Sequence, residues 1–199
     1  MADPFRVLFV CTGNVCRSPM AEAMLVAALR ERLGEVARRV DVASAGTGAL
    51  AGEPMEPFAL DALAGLGVQV GGFVARDVTA ELLQAADLVL TATRQHRSLV
   101  VTLQPSVVRR VFTIKEFARL AGSLDGSRGG DAAEDALARL RQMVIRVAGQ
   151  RGLAPAGAPE DDDVRDPYGE SAARFAETAQ DLLPAVTATA AVIADWAEG

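Results

Sequence analysis

Apolar positions run almost without a break from Arg6 to Cys11 and give way abruptly to Thr12-Gly13-Asn14. That pattern predicts a strand buried on both faces, ending at Cys11 and feeding a turn. Ser18-Pro19 then offers an N-cap residue followed by proline at the first helical position. Met20, Met24 and Ala27, with Leu25, Leu29 and Leu33, recur at helical spacing and predict a helix over 19–33. Further apolar runs over 40–44, 88–92 and 111–114 read as three more strands, with helices over 55–66, 79–86 and 94–103 between them. Strands alternating with helices imply parallel pairing through right-handed crossovers, hence an α/β fold.

Beyond Phe117 the pattern loosens into a glycine-rich stretch, 122–130, and then recovers over 131–151. There Leu137, Leu140, Val144 and Val147 line one helical face, while Arg139, Gln142 and Arg146 fall elsewhere. Residues 154–163, rich in proline, alanine and acid, predict an exposed loop, and 172–195 returns to a helical pattern suited to packing on the core. No internal repeat is visible.

Composition narrows the picture. A chain of 199 residues is long enough for one well-buried core, so a single domain spanning 1–199 is expected. Half of the residues are hydrophobic but only 5% aromatic, so the core must be built of Ala, Val and Leu between layers of helix and strand. A net charge of −6 leaves no basic footprint to offset a phosphate backbone, and no nucleic-acid partner is expected. The N-terminal residues lack a basic region, Val7 to Val10 is too short for a signal core, and the stretch 182–196 is too short to span a bilayer and carries Pro184 and Asp195. A cytoplasmic protein without membrane attachment is the expectation.

Two cysteines, Cys11 and Cys16, are too few for a secreted disulfide framework, so their reactivity matters more than their pairing. His96 is the only histidine, which excludes most Cys–His catalytic arrangements and leaves too few ligands for a structural zinc. Neither metal nor other cofactor is expected, and His96 reads as a surface or helix-end residue.

The informative segment is Cys11-Thr12-Gly13-Asn14-Val15-Cys16-Arg17-Ser18, placed between a strand end and a helix start. A loop of this length can turn successive backbone N–H groups inward above the positive end of a helix, forming a nest for a phosphate dianion. Gly13 lets the chain turn without a Cβ clash, and the Arg17 guanidinium can grip two phosphoryl oxygens as a fork. The same electropositive cup favours Cys11 as a thiolate, a nucleophile that needs no histidine. Expelling an aryl oxygen requires an acid, and Asp166-Pro167-Tyr168 supplies one. Pro167 restricts Asp166 to extended geometry, and Tyr168 can flank the slot for an aromatic ring. Asp161, Asp162 and Asp163 are rival acids in the same region.

These residues resemble the low-molecular-weight protein tyrosine phosphatase family of bacterial type. The match runs through Val7 to Glu22, the Ser44-Ala45-Gly46-Thr47 segment, Ala75-Arg76, Ala86-Asp87 and the distant Asp166-Pro167-Tyr168. The resemblance implies a three-layer fold, a four-stranded parallel sheet of order 2-1-3-4 with helices on both faces. It implies hydrolysis of phosphotyrosine in protein substrates through a phosphocysteine, with Asp166 as acid and then base. It further implies that Asn14 holds the loop, that Ser18 donates to Cys11, that Ser44 supports Asn14, and that Cys16 can form a reversible disulfide with Cys11. It implies no particular oligomeric state.

The chain departs from the family in three places. Phe73 stands near the position where many relatives carry a histidine; Tyr168 is followed by Gly169 rather than a second aromatic; and the chain is longer, with an inserted segment of about 118–163. Three other activities share the resemblance. An arsenate reductase would use the same nest, but relay types need cysteines downstream of Cys16. A protein arginine phosphatase resembles the loop but has threonine where Val15 stands, and apolar Val15 favours an aromatic ring over a guanidinium. A phosphate-binding module without turnover would lack the nucleophile or the acid.

Overall fold

The computed structural model describes residues 3–124, 135–153 and 158–198. Strand β1 (Phe5–Cys11) lies between β2 (Val40–Gly46) and β3 (Leu88–Thr91), with β4 (Val111–Thr113) outside β3, so the parallel sheet has the order β2-β1-β3-β4. The order and direction are those the resemblance implies.

The period of two along β1 builds the layers. Phe5, Val7 and Phe9 face one side, where they join α1 (Arg17–Leu33), α2 (Pro57–Gly65), α5 (Ile114–Ala121), α6 (Ala136–Gly149) and α7 (Ala172–Glu198) in the larger core. Leu8 and Val10 face the other side, against α3 (Ala80–Ala85) and α4 (Arg94–Leu103) through Leu83 and Val100. Among the described residues, three 3₁₀ turns, Gly34–Arg39, Pro105–Val107 and Pro159–Asp162, lie in the connections. No described helix is long and apolar enough to cross a membrane.

The sequence pattern placed the strands and most helices to within a few residues; it gave no helix at α5 and carried the fourth strand on to Ile114, where α5 begins. Ser18 was expected to cap the first helix, but α1 begins at Arg17 and no side chain caps it. The Ser18 hydroxyl is instead engaged by Cys11 Sγ at 2.9 Å and by Asn14 Nδ2 at 3.0 Å. The helix expected over 131–151 is described as Ala136–Gly149, with Leu137, Leu140, Val144 and Val147 all buried; residues 131–134 lie outside the described residues. The glycine-rich stretch is described only over 122–124, and the loop expected at 154–163 only from 158 onward, where it turns as a 3₁₀ helix.

What positions the site is the sheet's change of winding direction. The chain leaves β1 for β2 on one side and then crosses to β3 and β4 on the other, so the loops after β1 and β3 diverge at their carboxyl ends and open a crevice. Cys11 ends β1 at that crevice.

Candidate active site

The loop from Cys11 to Ser18 is held from beneath by one side chain. Asn14 has no exposed surface and adopts φ 55°, in the left-handed region that asparagine tolerates better than most residues. Its amide is fully used: Nδ2 donates to Ser44 Oγ at 2.8 Å and Ser18 Oγ at 3.0 Å, and Oδ1 accepts from the Arg76 backbone N–H at 2.9 Å. Asn14, not Gly13, therefore carries the unusual turn; a Cβ built on Gly13 meets nothing closer than 3.5 Å. The glycine the site requires is Gly46, where a Cβ would lie 2.3 Å from the Thr12 carbonyl oxygen. Sequence reasoning passed over it because the close approach is between segments distant in the chain.

Phe73, near the point where a histidine was expected, is half-buried against the larger core and contributes nothing polar beneath the loop. The Arg76 N–H and Ser44 hydroxyl hold Asn14 in its absence.

With its side chains so committed, the loop turns its main chain to the crevice. Among the described residues, the backbone N–H groups from Gly13 to Ser18 have no acceptor in the protein. Arg17 is 4% exposed, and its Nε is buried without a partner. Its other nitrogens are anchored: Nη1 donates to the Val164 carbonyl at 3.3 Å, and Nη2 to Thr12 Oγ1 at 3.3 Å and Asp166 Oδ2 at 2.5 Å. Unpaired buried donors are uncommon and costly unless an acceptor arrives.

Cys11 is buried, and its sulfur lies 2.9 Å from Ser18 Oγ. Because Ser18 Oγ already accepts from Asn14, its own hydrogen is available to the sulfur; the Ala45 carbonyl at 3.4 Å is the weaker alternative acceptor. Cys16 differs sharply. Burial, and next the charge at Cys11, push its thiol up to about 12, so it stays protonated at neutral pH. Neither cysteine is in a disulfide.

The Asp-Pro-Tyr segment reaches the loop from the far end of the chain, moored to the ends of β3 and β4. Val164 N–H donates to the Ala92 carbonyl at 2.8 Å, Arg94 N–H to Asp163 Oδ1 at 2.7 Å, and Lys115 Nζ to the Asp163 carbonyl at 3.1 Å. Asp163 is thus a mooring, Asp162 pairs with Arg119, and Asp161 accepts from the Ala158 N–H. The three rivals of Asp166 are occupied in holding the loop. Asp166 alone of the four reaches Arg17, while its Oδ1 accepts from the Tyr168 N–H at 3.2 Å.

Cys11, Thr12, Gly13, Val15, Cys16, Arg17, Asp166 and Tyr168 enclose a cavity of about 160 Å³ with Gly48 and Leu50, two residues that sequence reasoning missed. Exposed Leu50 and Tyr168 and buried Val15 make part of its lining apolar. Ser44 and Asn14 lie beneath it and do not line it.

His96 is the other miss. Read as a surface or helix-end residue, it does lie at a helix end, in the first turn of α4, but it is 6% exposed, with Nε2 at 2.9 Å from Thr12 Oγ1 and Nδ1 at 2.7 Å from Thr93 Oγ1. Burial, and next the Arg17 charge, bring its pKa down to about 4, so the ring is neutral at pH 7. The available signal was its place just after a parallel strand's carboxyl end, where ligand sites gather in such sheets.

Residues 6–128 match the family model described as low molecular weight phosphotyrosine protein phosphatase. The chain is 35% identical over 138 residues to a probable low molecular weight protein-tyrosine-phosphatase, EpsP, of Ralstonia solanacearum, covering 69% of this chain and 90% of that protein. It is 40% identical over 111 residues to a protein-arginine-phosphatase of Bacillus subtilis, covering 56% and 71% respectively. The crystal structure of a YwlE mutant from Bacillus subtilis superposes with a TM-score of 0.66 at 29% identity, covering 94% of this chain and 97% of that one.

Proposed function

This chain belongs to the low molecular weight phosphotyrosine protein phosphatase family, and from that premise we propose that Cys11, Arg17 and Asp166 hydrolyse phosphotyrosine in protein substrates through a phosphocysteine. The observation that carries this reading is the set of unpaired donors: the loop N–H groups from Gly13 to Ser18 and the buried Arg17 Nε. A phosphoryl group supplies the acceptors they lack, and its charge suits the N-terminus of α1.

The Cys11 thiolate attacks phosphorus while the Ser18 hydroxyl donates to the sulfur. The S–P bond forms as the P–O bond to the aryl group breaks, and Asp166 gives its proton to the departing oxygen. Asp166, now a carboxylate, takes a proton from water as that water attacks phosphorus; the S–P bond breaks, releasing inorganic phosphate and the thiolate. Asp166 Oδ2 is paired with Arg17 Nη2, so a phosphoryl group that takes the guanidinium competes with the carboxyl and releases it to the leaving group. Val15, Leu50 and Tyr168 favour an aromatic ring in the cavity. We also assign 1–199 to one domain, with the segment of about 118–163 as its insertion, acting in the cytoplasm.

A second reading, protein arginine phosphatase, is favoured by the Bacillus relative. Buried apolar Val15 argues against it, since a guanidinium leaving group would find no acceptor there. The test is a side-by-side assay of para-nitrophenyl phosphate, a phosphotyrosine peptide, phosphoarginine, and arsenate with a thiol reductant. Turnover of the first two above phosphoarginine is expected, with Cys11→Ser losing turnover but still binding inorganic phosphate. Preference for phosphoarginine, reduction of arsenate without aryl phosphatase activity, or substantial turnover by Cys11→Ser would overturn the reading.

A further inference from the structure

Thr12 contributes more than a main-chain link in the cradle. Its hydroxyl oxygen receives Arg17 Nη2 at 3.3 Å and faces His96 Nε2 at 2.9 Å, and the residue lines the cavity beside Cys11. Hydrogen counting and exposure together assign the direction of the His96 contact. Thr93 Oγ1 lies 2.7 Å from His96 Nδ1 and accepts the His96 backbone N–H at 3.3 Å. If Nδ1 carried the ring proton, Thr93 Oγ1 would accept twice and its own hydrogen would have no acceptor in the protein. With the proton on Nε2, the Thr93 hydroxyl donates to Nδ1 and the ring donates to Thr12 Oγ1, so the hydrogen left without a protein acceptor is that of Thr12, which is exposed and lines the cavity, and not that of half-buried Thr93. Burial beside Arg17 keeps the ring neutral, so Nδ1 remains an acceptor at physiological pH.

Both lone pairs of Thr12 Oγ1 are then filled, by Arg17 and by His96, and the hydroxyl hydrogen has no acceptor among the described residues. Arg17 Nη2 bonds both Thr12 and Asp166, which places the hydroxyl on the side of the cavity where the carboxyl approaches. Resting on the reading of this cavity as a phosphate cradle, we propose that the Thr12 side chain donates a hydrogen bond to an oxygen of the bound phosphoryl group, with His96 as the positioning residue that fixes the direction of that bond. The donation is additional to the main-chain N–H groups, and it depends on a histidine that touches no substrate.

Calorimetric titration of the full chain with inorganic phosphate, paired with steady-state kinetics on para-nitrophenyl phosphate, tests this. Thr12→Val, which keeps the shape and removes the hydroxyl, is expected to weaken phosphate about tenfold, as for a hydrogen bond to a charged group. Thr12→Ser should stay within about twofold of the parent on the same basis. His96→Leu should weaken phosphate in the same direction, while His96→Gln, whose amide nitrogen can reach the Nε2 position, restores it. Equal phosphate affinity for Thr12→Val and the parent overturns the proposal, as does an equal loss in Thr12→Ser and Thr12→Val. The threonine pair decides the matter if His96→Leu unfolds. Phosphate binding by a parent protein that fails to turn over aryl phosphate would count against the phosphatase reading, not against the donor.

Discussion

Asn14 combines a left-handed backbone with complete burial and three hydrogen bonds, so two separate costs meet in one residue. Asn14→Ala places a Cβ-bearing residue without a local partner at φ 55°, strands the Arg76 N–H and takes one donor from each of the Ser44 and Ser18 hydroxyls. The expected loss is about 2–4 kcal/mol in denaturant unfolding, the sum of left-handed strain and unsatisfied buried groups. Asn14→Gly relieves the strain alone and should recover about 1 kcal/mol of stability without recovering aryl phosphatase activity. Full activity in the glycine variant would show that the loop holds its shape without the amide. The acid is separable in the same way. Asp166→Ala is expected to slow turnover most for phenols that leave poorly, since activated leaving groups need the proton less. Asp163→Ala should act through the mooring at the Arg94 N–H and show no such dependence on the leaving group.

Helix α6 tests whether periodicity read from sequence identifies an energetic face. Leu137, Leu140, Met143, Val144 and Val147 are buried, whereas Ile145 is 63% exposed. Met143→Ala should therefore destabilise by about 2–5 kcal/mol, and Ile145→Ala by no more than about 0.5, in thermal or denaturant unfolding. Comparable effects at the two positions would mean the face is misassigned. Such faces were legible because spacing along one helix is a local property, and the same holds for β1, whose apolar run marks burial on both sides. The role of Arg151, just past the end of α6, was not legible. It reaches Glu116 at 3.0 Å, donates to the Val111 carbonyl at 2.5 Å and stacks on Phe112 at 4.1 Å, while Arg97 takes the other Glu116 oxygen at 2.6 Å. Nothing in the order of residues announces that these cations share a buried carboxylate. In the site, likewise, Cys11, Arg17 and Asp166 were readable from loop chemistry. Gly46, Leu50 and His96 were not, because each owes its role to the sheet bringing distant segments together.

Across the whole molecule, two buried groups bound the pH range of stability from opposite ends. The folded chain holds the pKa of His96 down to about 4 from an ordinary value of 6.5, so between those values the unfolded chain takes up a proton that the native state refuses. Stability contributed by the neutral ring is present above 6.5 and is lost as pH falls toward about 4. Cys16 works in reverse. Its thiol titrates near 9.0 when unfolded and at about 12 when folded, so its contribution is present below 9.0 and is lost as pH rises through about 12. Glu22 opposes His96 on the acid side, because burial raises its pKa and protonation there favours the native state. Differences between variants isolate each group from this background. Melting midpoints measured from pH 4 to 11 should show a shallower acid fall for His96→Gln than for the parent, with no change above pH 8. Cys16→Ala should show a shallower alkaline fall, with no change in the acid slope. Parallel curves for parent and His96→Gln throughout the acid range would mean that the ring takes up its proton equally easily folded or unfolded. In that case the imidazole is not sealed between Thr12 and Thr93 as the packing of α4 against the loop requires.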